Sequence, residues 1–176
     1  KERFKDFLAK RYRFPIFDLS DVVLEEILKQ FQNKKFDYIN GYTSSVVLFA
    51  KFLQAKNIVL KDICPTLKVC MVTSEMLFDA DKILLEKYLG IPIVNEYGAS
   101  ELDLLAFQNP KGEWQVNSET LFIEILDEKN QPVANGTSGK IVVTSLYNKA
   151  HPFIRYEIGD IGILDEKSTW KKPLLK

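Results

Sequence analysis

Residues 94–101, Val-Asn-Glu-Tyr-Gly-Ala-Ser-Glu, bring together four kinds of side chain that a nucleotide site needs. The Tyr97 ring can stack on a base, and Gly98 lets the backbone approach a ligand closely. The Ser100 hydroxyl can donate to a phosphate oxygen, and Glu101 is a hard oxygen ligand that can share a magnesium ion with phosphates. A short strand running into this group predicts a nucleotide site, although glycine, serine and an acid also occur in this order at helix starts.

A second polar group lies further along, in residues 151–160, His-Pro-Phe-Ile-Arg-Tyr-Glu-Ile-Gly-Asp. A carboxylate on a Gly-Asp turn, here Asp160, can accept hydrogen bonds from both hydroxyls of a ribose. An aspartate that only caps the turn is the alternative. We expect Arg155 to form a structural ion pair, and His151, the only histidine, to be a structural or rim residue rather than an acid–base group.

Together the two segments resemble the adenylate-forming ligases, and within them the phenylacetate–coenzyme A ligase branch with its capsule-biosynthesis relatives. That branch pairs Tyr-Gly-x-Ser/Thr-Glu with a later Pro-x-Ile-Arg-Tyr-x-x-Gly-Asp, and this chain has both motifs in order. The intervening residues 121–125 and 142–146 also fit, so the resemblance covers roughly residues 35–165. It implies an ATP-dependent carboxylate–coenzyme A ligase that makes an acyl-adenylate and then a thioester.

The resemblance assigns roles residue by residue. Tyr97 would flank the adenine, Asp160 would hold the ribose, and Ser100 would touch the α-phosphate. Glu101 would bind Mg²⁺ and act with Ser100 in catalysis. The nucleotide-binding residues that the resemblance implies are Ser74, Glu75, Tyr97, Gly98, Ala99, Ser100 and Asp160.

Two further segments match the family with one departure each. Residues 73–75, Thr-Ser-Glu, stand where the family lines the adenine with Gly-Ala/Gly-Glu, and Thr73 replaces the glycine. A plain strand-to-helix turn capped by Ser74 is the alternative.

Gly41, Tyr42 and Thr43 match a Gly-x-Pro-Ser turn near the acyl pocket, and Thr43 replaces the proline. Tyr42 either walls that pocket or packs on the core.

The expected substrates and cofactors are ATP, Mg²⁺, coenzyme A and a small carboxylic acid whose identity the sequence does not define. One alternative keeps the adenylation but changes the acceptor, as in relatives that adenylate a cofactor or serve surface-polysaccharide assembly. Another is a nucleotide-binding module without catalysis. A glycine-rich phosphate loop upstream and a catalytic lysine downstream would distinguish an enzyme from such a module.

Composition excludes several other classes. The 176 residues are 46% hydrophobic and 27% charged, with 24 basic and 24 acidic side chains, which is typical of a soluble globular domain. Zero net charge gives no reason to expect nucleic acid or a membrane as a partner. Cys64 and Cys70 are spaced unlike a zinc pair, and we expect core cysteines in a reducing cytoplasm.

The family's phosphate loop and lysine domain are not found among these residues, so we expect an internal fragment of a longer enzyme. Its missing N- and C-terminal parts would complete the site, and the fragment alone would be inactive. This expectation depends on the resemblance.

The positioning elements alternate between strand and helix. Strands are predicted at residues 37–40, 67–72 and 91–95. Helices are predicted after Ser20, as an N-cap, after residue 44, and over residues 78–89 up to Gly90. This order predicts an α/β fold, a parallel sheet with crossover helices, and the carboxyl ends of its strands would gather residues 41–44, 73–75 and 97–101.

Beyond residue 118 the pattern changes to short β-rich runs. Strands are predicted at residues 121–126, 140–146 and 161–164, separated by turn residues. We therefore divide the chain into an α/β nucleotide-binding part, residues 1–118, and a small β-barrel-like subdomain, residues 119–176. By resemblance both belong to the large domain of an adenylate-forming enzyme.

Overall fold

The computed structural model describes residues 2–176, which form five helices and nine strands. The helices are α1 (Glu2–Leu8), α2 (Asp21–Asn33), α3 (Thr43–Ala55), α4 (Leu60–Ile63) and α5 (Asp79–Leu89). The strands are β1 (Tyr38–Tyr42), β2 (Val69–Thr73), β3 (Ile93–Ala99), β4 (Asp103–Gln108), β5 (Trp114–Val116), β6 (Leu121–Leu126), β7 (Ser138–Ser145), β8 (Tyr156–Ile163) and β9 (Leu174–Leu175).

The first three strands confirm the predicted α/β fold. β1 pairs with β2 and β2 with β3, both in parallel, with α3 and α4 in the first connection and α5 in the second. The apolar faces of α2 and α3 are buried in one core, because residues spaced three and four apart lie on one side of a helix. The helix residues of this face are Leu24, Ile27, Leu28, Phe31, Val46, Phe49, Ala50 and Leu53.

Both cysteines belong to the same core. Cys64 and Cys70 are buried free thiols, as their apolar setting predicts. Burial raises the pKa of Cys70 to about 12, so this thiol is not a nucleophile at neutral pH.

The helix ends follow the predictions in part. Gly90 ends α5 in the left-handed conformation, with φ +70°, and an added Cβ would lie 2.8 Å from side-chain atoms of Val59 and Lys61. Ser20 does stand at the N-cap of α2, but its side chain makes no capping hydrogen bond, so the predicted cap is wrong in that respect. Its backbone N–H instead donates to Asp18 Oδ1 at 3.0 Å.

The sheet then changes direction. β3 continues to Ala99 and turns into β4, which runs antiparallel to it and is followed by β5 and β9. The six-stranded sheet has the order β1-β2-β3-β4-β5-β9. The sequence-based prediction ended the third strand at residue 95 and did not include β4 or β5.

The predicted β-rich unit is a three-stranded antiparallel sheet in the order β6-β7-β8. β6 matches its predicted range, and β7 and β8 overlap theirs. Its inner face shares a second core with β4 and β5, including Leu105, Ile123 and Val143. Since β9 returns to pair with β5, the chain division at residue 118 stays a prediction. Within residues 2–176, no helix combines the length and apolar character needed to cross a membrane.

Candidate functional site

The predicted site segments meet at one edge of the six-stranded sheet. Tyr42 is the register partner of Thr73, and Val72 is the partner of Asn95, so β1, β2 and β3 run toward the same edge. The convergence of residues 41–44, 73–75 and 97–101 at the carboxyl ends of these strands is therefore confirmed. Tyr97 and Gly98 lie within β3 rather than beyond its end.

Ser100 and Glu101 lie in the turn of a β-hairpin. β3 ends at Ala99, β4 begins at Asp103, and the Leu102 N–H donates to the Ala99 carbonyl at 3.1 Å. The alternative that this segment starts a helix is therefore wrong. Both side chains are exposed at the tip, where a hydroxyl and a carboxylate can meet an incoming ligand.

A β-bulge sits immediately before this turn. The register between β3 and β4 shifts between Tyr97 and Gly98. An added Cβ at Gly98 would lie 2.8 Å from the Asp103 carbonyl oxygen, and Asp103 itself has φ +64°. The close backbone approach that the glycine permits is therefore made by the hairpin's own partner strand.

Asp160 lies in strand β8, not in the turn that its Gly-Asp sequence predicts. Val142 pairs with Glu157 but Lys140 pairs with Ile161, so β8 has two extra residues opposite β7. Gly159 supplies the required positive φ of +91° within this bulge. The irregularity turns Asp160 outward, where it is exposed.

The two motifs are joined by a direct hydrogen bond. The Tyr97 hydroxyl donates to Asp160 Oδ2 at 2.5 Å, and no side chain that the structure describes donates to the other carboxylate oxygen. Trp114 stands edge-on to the Tyr97 ring, with 6.4 Å between ring centroids. The tyrosine is therefore held on one side by an aromatic edge and at its hydroxyl by the aspartate.

The protonation state of Tyr97 follows from this setting. Desolvation of the half-buried ring raises the pKa of Tyr97, and the hydrogen bond to Asp160 and the negative charge of that carboxylate raise it further. The phenol remains a neutral donor at physiological pH.

Glu101 faces the second motif from the hairpin tip. The Tyr156 hydroxyl lies 3.5 Å from Glu101 Oε1, and the Tyr156 ring packs against Phe153 at 5.1 Å. Among residues 2–176 the structure shows no cluster of three or more side chains able to ligate a metal. A lone carboxylate fits the usual protein share of a magnesium site, in which phosphates and water supply the other oxygens.

The Glu75 side chain is hydrogen-bonded to the start of α3. Its carboxylate accepts hydrogen bonds from the Ser44 backbone N–H at 2.6 Å and the Ser44 hydroxyl at 3.0 Å. The preceding Ser74 is exposed and has φ +67°, in the left-handed region. The Glu75 carboxylate is therefore engaged by Ser44, and its grouping with the nucleotide-binding residues stays a prediction.

The predicted turn at residues 41–44 is instead a direct junction of strand and helix. Tyr42 ends β1 and is exposed, while Thr43 begins α3 and is buried. Thr43 borders an open cavity of about 590 Å³ at the start of α3, between that helix and the β2–α5 loop. Gly41 and Tyr42 do not line this cavity.

Arg155 forms the predicted ion pair. Its Nε lies 3.2 Å from Glu124 Oε2 on β6, and its backbone N–H donates to Thr144 Oγ1 at 3.0 Å. His151 is exposed, with its ring 6.0 Å from the Phe153 ring. In the described structure neither side chain forms a hydrogen bond or an ion pair with Tyr97, Glu101 or Asp160.

Sequence reasoning missed three contributors to this site: Trp114, Tyr156 and the hydroxyl of Tyr97. Tyr156 lies inside the second motif, so its position alone was a usable signal. Trp114 comes from β5, and nothing local to its sequence links it to Tyr97.

The fold defined by these elements is that of the large domain of adenylate-forming enzymes. No family model matches the chain. An open-conformation structure of 2-hydroxyisobutyryl-CoA ligase, solved with 2-HIB-AMP and CoA, matches 95% of the chain and 37% of its own length with a TM-score of 0.77 and 15% identity. A long-chain-fatty-acid-CoA ligase (FadD1) from Archaeoglobus fulgidus matches 86% of the chain and 36% of its own length, with a TM-score of 0.64 and 15% identity.

At the level of sequence, the chain is similar to Protein CapK of Staphylococcus aureus, with 26% identity over 137 residues. The match takes in 78% of this chain and 28% of that protein. The recognised resemblance to adenylate-forming enzymes and to their capsule-biosynthesis branch is confirmed. The chain spans less than half the length of each of these similar proteins.

Proposed function

We propose that the protein is an AMP-forming acid–CoA ligase, similar to phenylacetate–CoA ligases, and that these residues supply part of its nucleotide site. The observation that carries this proposal is the Tyr97–Asp160 hydrogen bond. This hydrogen bond directly joins an aromatic residue that can stack on a base to a carboxylate that can bind a ribose. Base and ribose are covalently joined in ATP, so their binding groups must be close.

Ser100 and Glu101, at the tip of the β3–β4 hairpin, carry groups that can interact with the phosphates of ATP and their metal ion. In adenylation an oxygen of the acid forms a bond to the α-phosphorus of ATP while the bond to pyrophosphate breaks. Ser100 is assigned as a donor to an α-phosphate oxygen, where negative charge is shared in the transition state. Glu101, oriented by Tyr156, is assigned to hold Mg²⁺, which supplies charge neutralisation when bound.

The second half-reaction forms the thioester. The thiolate sulfur of coenzyme A attacks the acyl carbonyl of the adenylate, and AMP leaves with the electron pair of the broken bond. The 2-hydroxyisobutyryl-CoA ligase structure contains an acyl-AMP and CoA, which supports this order for its fold. We propose ATP, Mg²⁺, coenzyme A and a small carboxylic acid as the ligands of the complete protein.

A second candidate keeps the adenylate and changes the acceptor to a cofactor or a component of surface-polysaccharide assembly. The resemblance of the sequence motifs to the capsule-biosynthesis branch favours this candidate, and the similarity to Protein CapK supports it. Thr43 is buried and hydrogen-bonded to Glu75, and it stands in place of the family's proline. The segment assigned to the acid pocket therefore differs from that of the ligases.

ATP–pyrophosphate exchange by the full-length protein, across a panel of aryl and alkyl acids, tests the adenylation step. Detection of an acyl-CoA by mass spectrometry then separates the ligase from the second candidate.

Asp160→Ala is expected to weaken ATP binding by about tenfold or more, since hydrogen bonds to a charged group contribute about 1.5–3 kcal/mol each. The parent should also distinguish ATP from 2′-deoxy-ATP more strongly than the variant does. Equal discrimination would remove Asp160 from the ribose, and no exchange with any acid would leave a non-catalytic module.

A further inference from the structure

Three hydrogen bonds tie the start of α3 to the loop that follows β2. Thr43 Oγ1 donates to the Glu75 backbone carbonyl at 3.1 Å, and Ser44 donates to both Glu75 carboxylate oxygens through its backbone N–H and its hydroxyl. The two segments are 31 or 32 residues apart in sequence. They are also the segments that the sequence assigns to the acid pocket and to the adenine pocket.

Glu75 satisfies a helix end that lacks a local cap. Tyr42 occupies the N-cap position of α3, and it has no side-chain oxygen placed to accept the first N–H groups. The Ser44 N–H, in the second position of the helix, is one of the donors that a helix leaves without an internal partner. A carboxylate is well suited to this place because it also interacts favourably with the positive end of the helix dipole.

The contact with Ser44 favours the charged form of the Glu75 carboxyl group. The hydrogen bond from the Ser44 backbone, and then that from the Ser44 hydroxyl, lower the pKa of Glu75 below its ordinary value. Thr43 is only 3% exposed, so its hydroxyl depends on the Glu75 carbonyl as its partner. The cavity beside this contact is lined on both sides, by Thr43, Ser44 and Lys51 from α3 and by Glu75 and Asp81 from the loop and α5.

We propose that Glu75 is a positioning residue that sets the acid pocket by fixing the start of α3, and that its carboxylate does not bind the nucleotide. The inference rests on the proposed function, since the acid pocket belongs to that function. It also reassigns Glu75, which the family resemblance groups with the nucleotide-binding residues. The position of residues 41–44 depends on Glu75, because Glu75 accepts hydrogen bonds from both Thr43 and Ser44.

The first test uses amide hydrogen exchange in the full-length protein. Glu75→Ala should raise the exchange of the first-turn amides of α3 by tenfold or so, whereas Glu75→Gln, which keeps an acceptor oxygen, should restore most of the protection. Ser45→Ala is the matched control, because Ser45 lies on the same turn and is not hydrogen-bonded to Glu75. Unchanged exchange in Glu75→Ala would overturn the inference and leave the proposed function standing.

The second test is a double-mutant cycle read out by adenylation kinetics. Glu75→Ala should raise the KM for the acid about tenfold and that for ATP less than twofold, and Ser44→Ala should add little once Glu75 is gone. A rise confined to the KM for ATP would assign Glu75 to the nucleotide, and additive effects of the two variants would mean that Glu75 does not act through Ser44. Either result would overturn the inference. Absence of adenylation in the parent protein would instead overturn the proposed function, and with it the role of Glu75 in positioning the acid pocket.

Discussion

Tyr97 on β3 donates its hydroxyl hydrogen bond to Asp160 on β8, 63 residues later in the chain. The two residues belong to different sheets, and each lies at a bulge in its own strand. The proposed base-binding and ribose-binding groups are thus held in place by a direct hydrogen bond. Such preorganisation lowers the ordering cost of binding a ligand.

Tyr97→Phe should weaken ATP binding in the full-length protein by about fivefold, because one hydrogen bond contributes about 1 kcal/mol net. The phenylalanine ring keeps the surface that can stack on adenine, so the loss is assigned to the orientation of Asp160. Isothermal titration calorimetry with ATP gives the dissociation constants directly.

The matched comparison is Tyr97→Phe in the Asp160→Ala background. If the tyrosine acts through the aspartate, the second substitution should change ATP affinity very little. Fully additive losses would mean that the hydroxyl contacts the nucleotide itself.

The raised pKa of Tyr97 predicts a defined alkaline behaviour. An unperturbed tyrosine titrates near pH 10. Since the folded-state pKa lies above that of the unfolded chain, the stability contributed by the neutral phenol is fully present below about pH 10 and is lost as pH rises through the folded-state value. Spectrophotometric titration of phenolate should show one fewer late-titrating tyrosine in Tyr97→Phe than in the parent. Identical titration curves above pH 10 would contradict the assigned environment.

The sequence predicted the parallel half of the fold because its signals are local. The three- and four-residue spacing of apolar side chains marks α2 and α3, and Gly90 marks the end of α5. The burial of these faces needs no information from distant parts of the chain. β4 and β5 were missed because their pairing depends on two sharp turns, at residues 100–102 and 109–113.

The sequence was sufficient to predict which residues belong to the candidate site, but not how they are arranged in space. The motifs identified Tyr97, Glu101 and Asp160, yet the bulges that orient two of them arise from pairing with β4 and β7. A turn was the local expectation for Gly159 and Asp160, and tertiary pairing made a bulged strand instead. The Ser44–Glu75 contact could not be predicted for the same reason, since the parallel register of β1 and β2 brings the two residues together.

Gly98→Ala should destabilise the protein through the β3–β4 bulge. The new Cβ would lie 2.8 Å from the Asp103 carbonyl oxygen, closer than real contacts allow, so the hairpin must shift. We expect a loss of about 1–3 kcal/mol in the free energy of unfolding, measured by urea denaturation.

Gly112→Ala is the control for this glycine, because an added Cβ there meets nothing within 4 Å although φ is +79°. It should cost about 1 kcal/mol from backbone strain alone. A Gly98→Ala variant no less stable than the parent would mean that the bulge relaxes freely and does not fix the hairpin tip.

Glu101→Gln should slow adenylation in the full-length protein by about a hundredfold while leaving ATP affinity nearly unchanged. Glutamine keeps the size and one oxygen of the side chain, but it lacks the charge that favours a divalent cation. Tyr97 and Asp160 remain in place to bind base and ribose, so the defect should lie in the chemical step. Single-turnover adenylate formation at several magnesium concentrations measures it, with Glu119→Gln as a control for loss of a carboxylate elsewhere. An unchanged rate with unchanged magnesium dependence would reduce Glu101 to an exposed turn residue whose contact with Tyr156 serves only the hairpin.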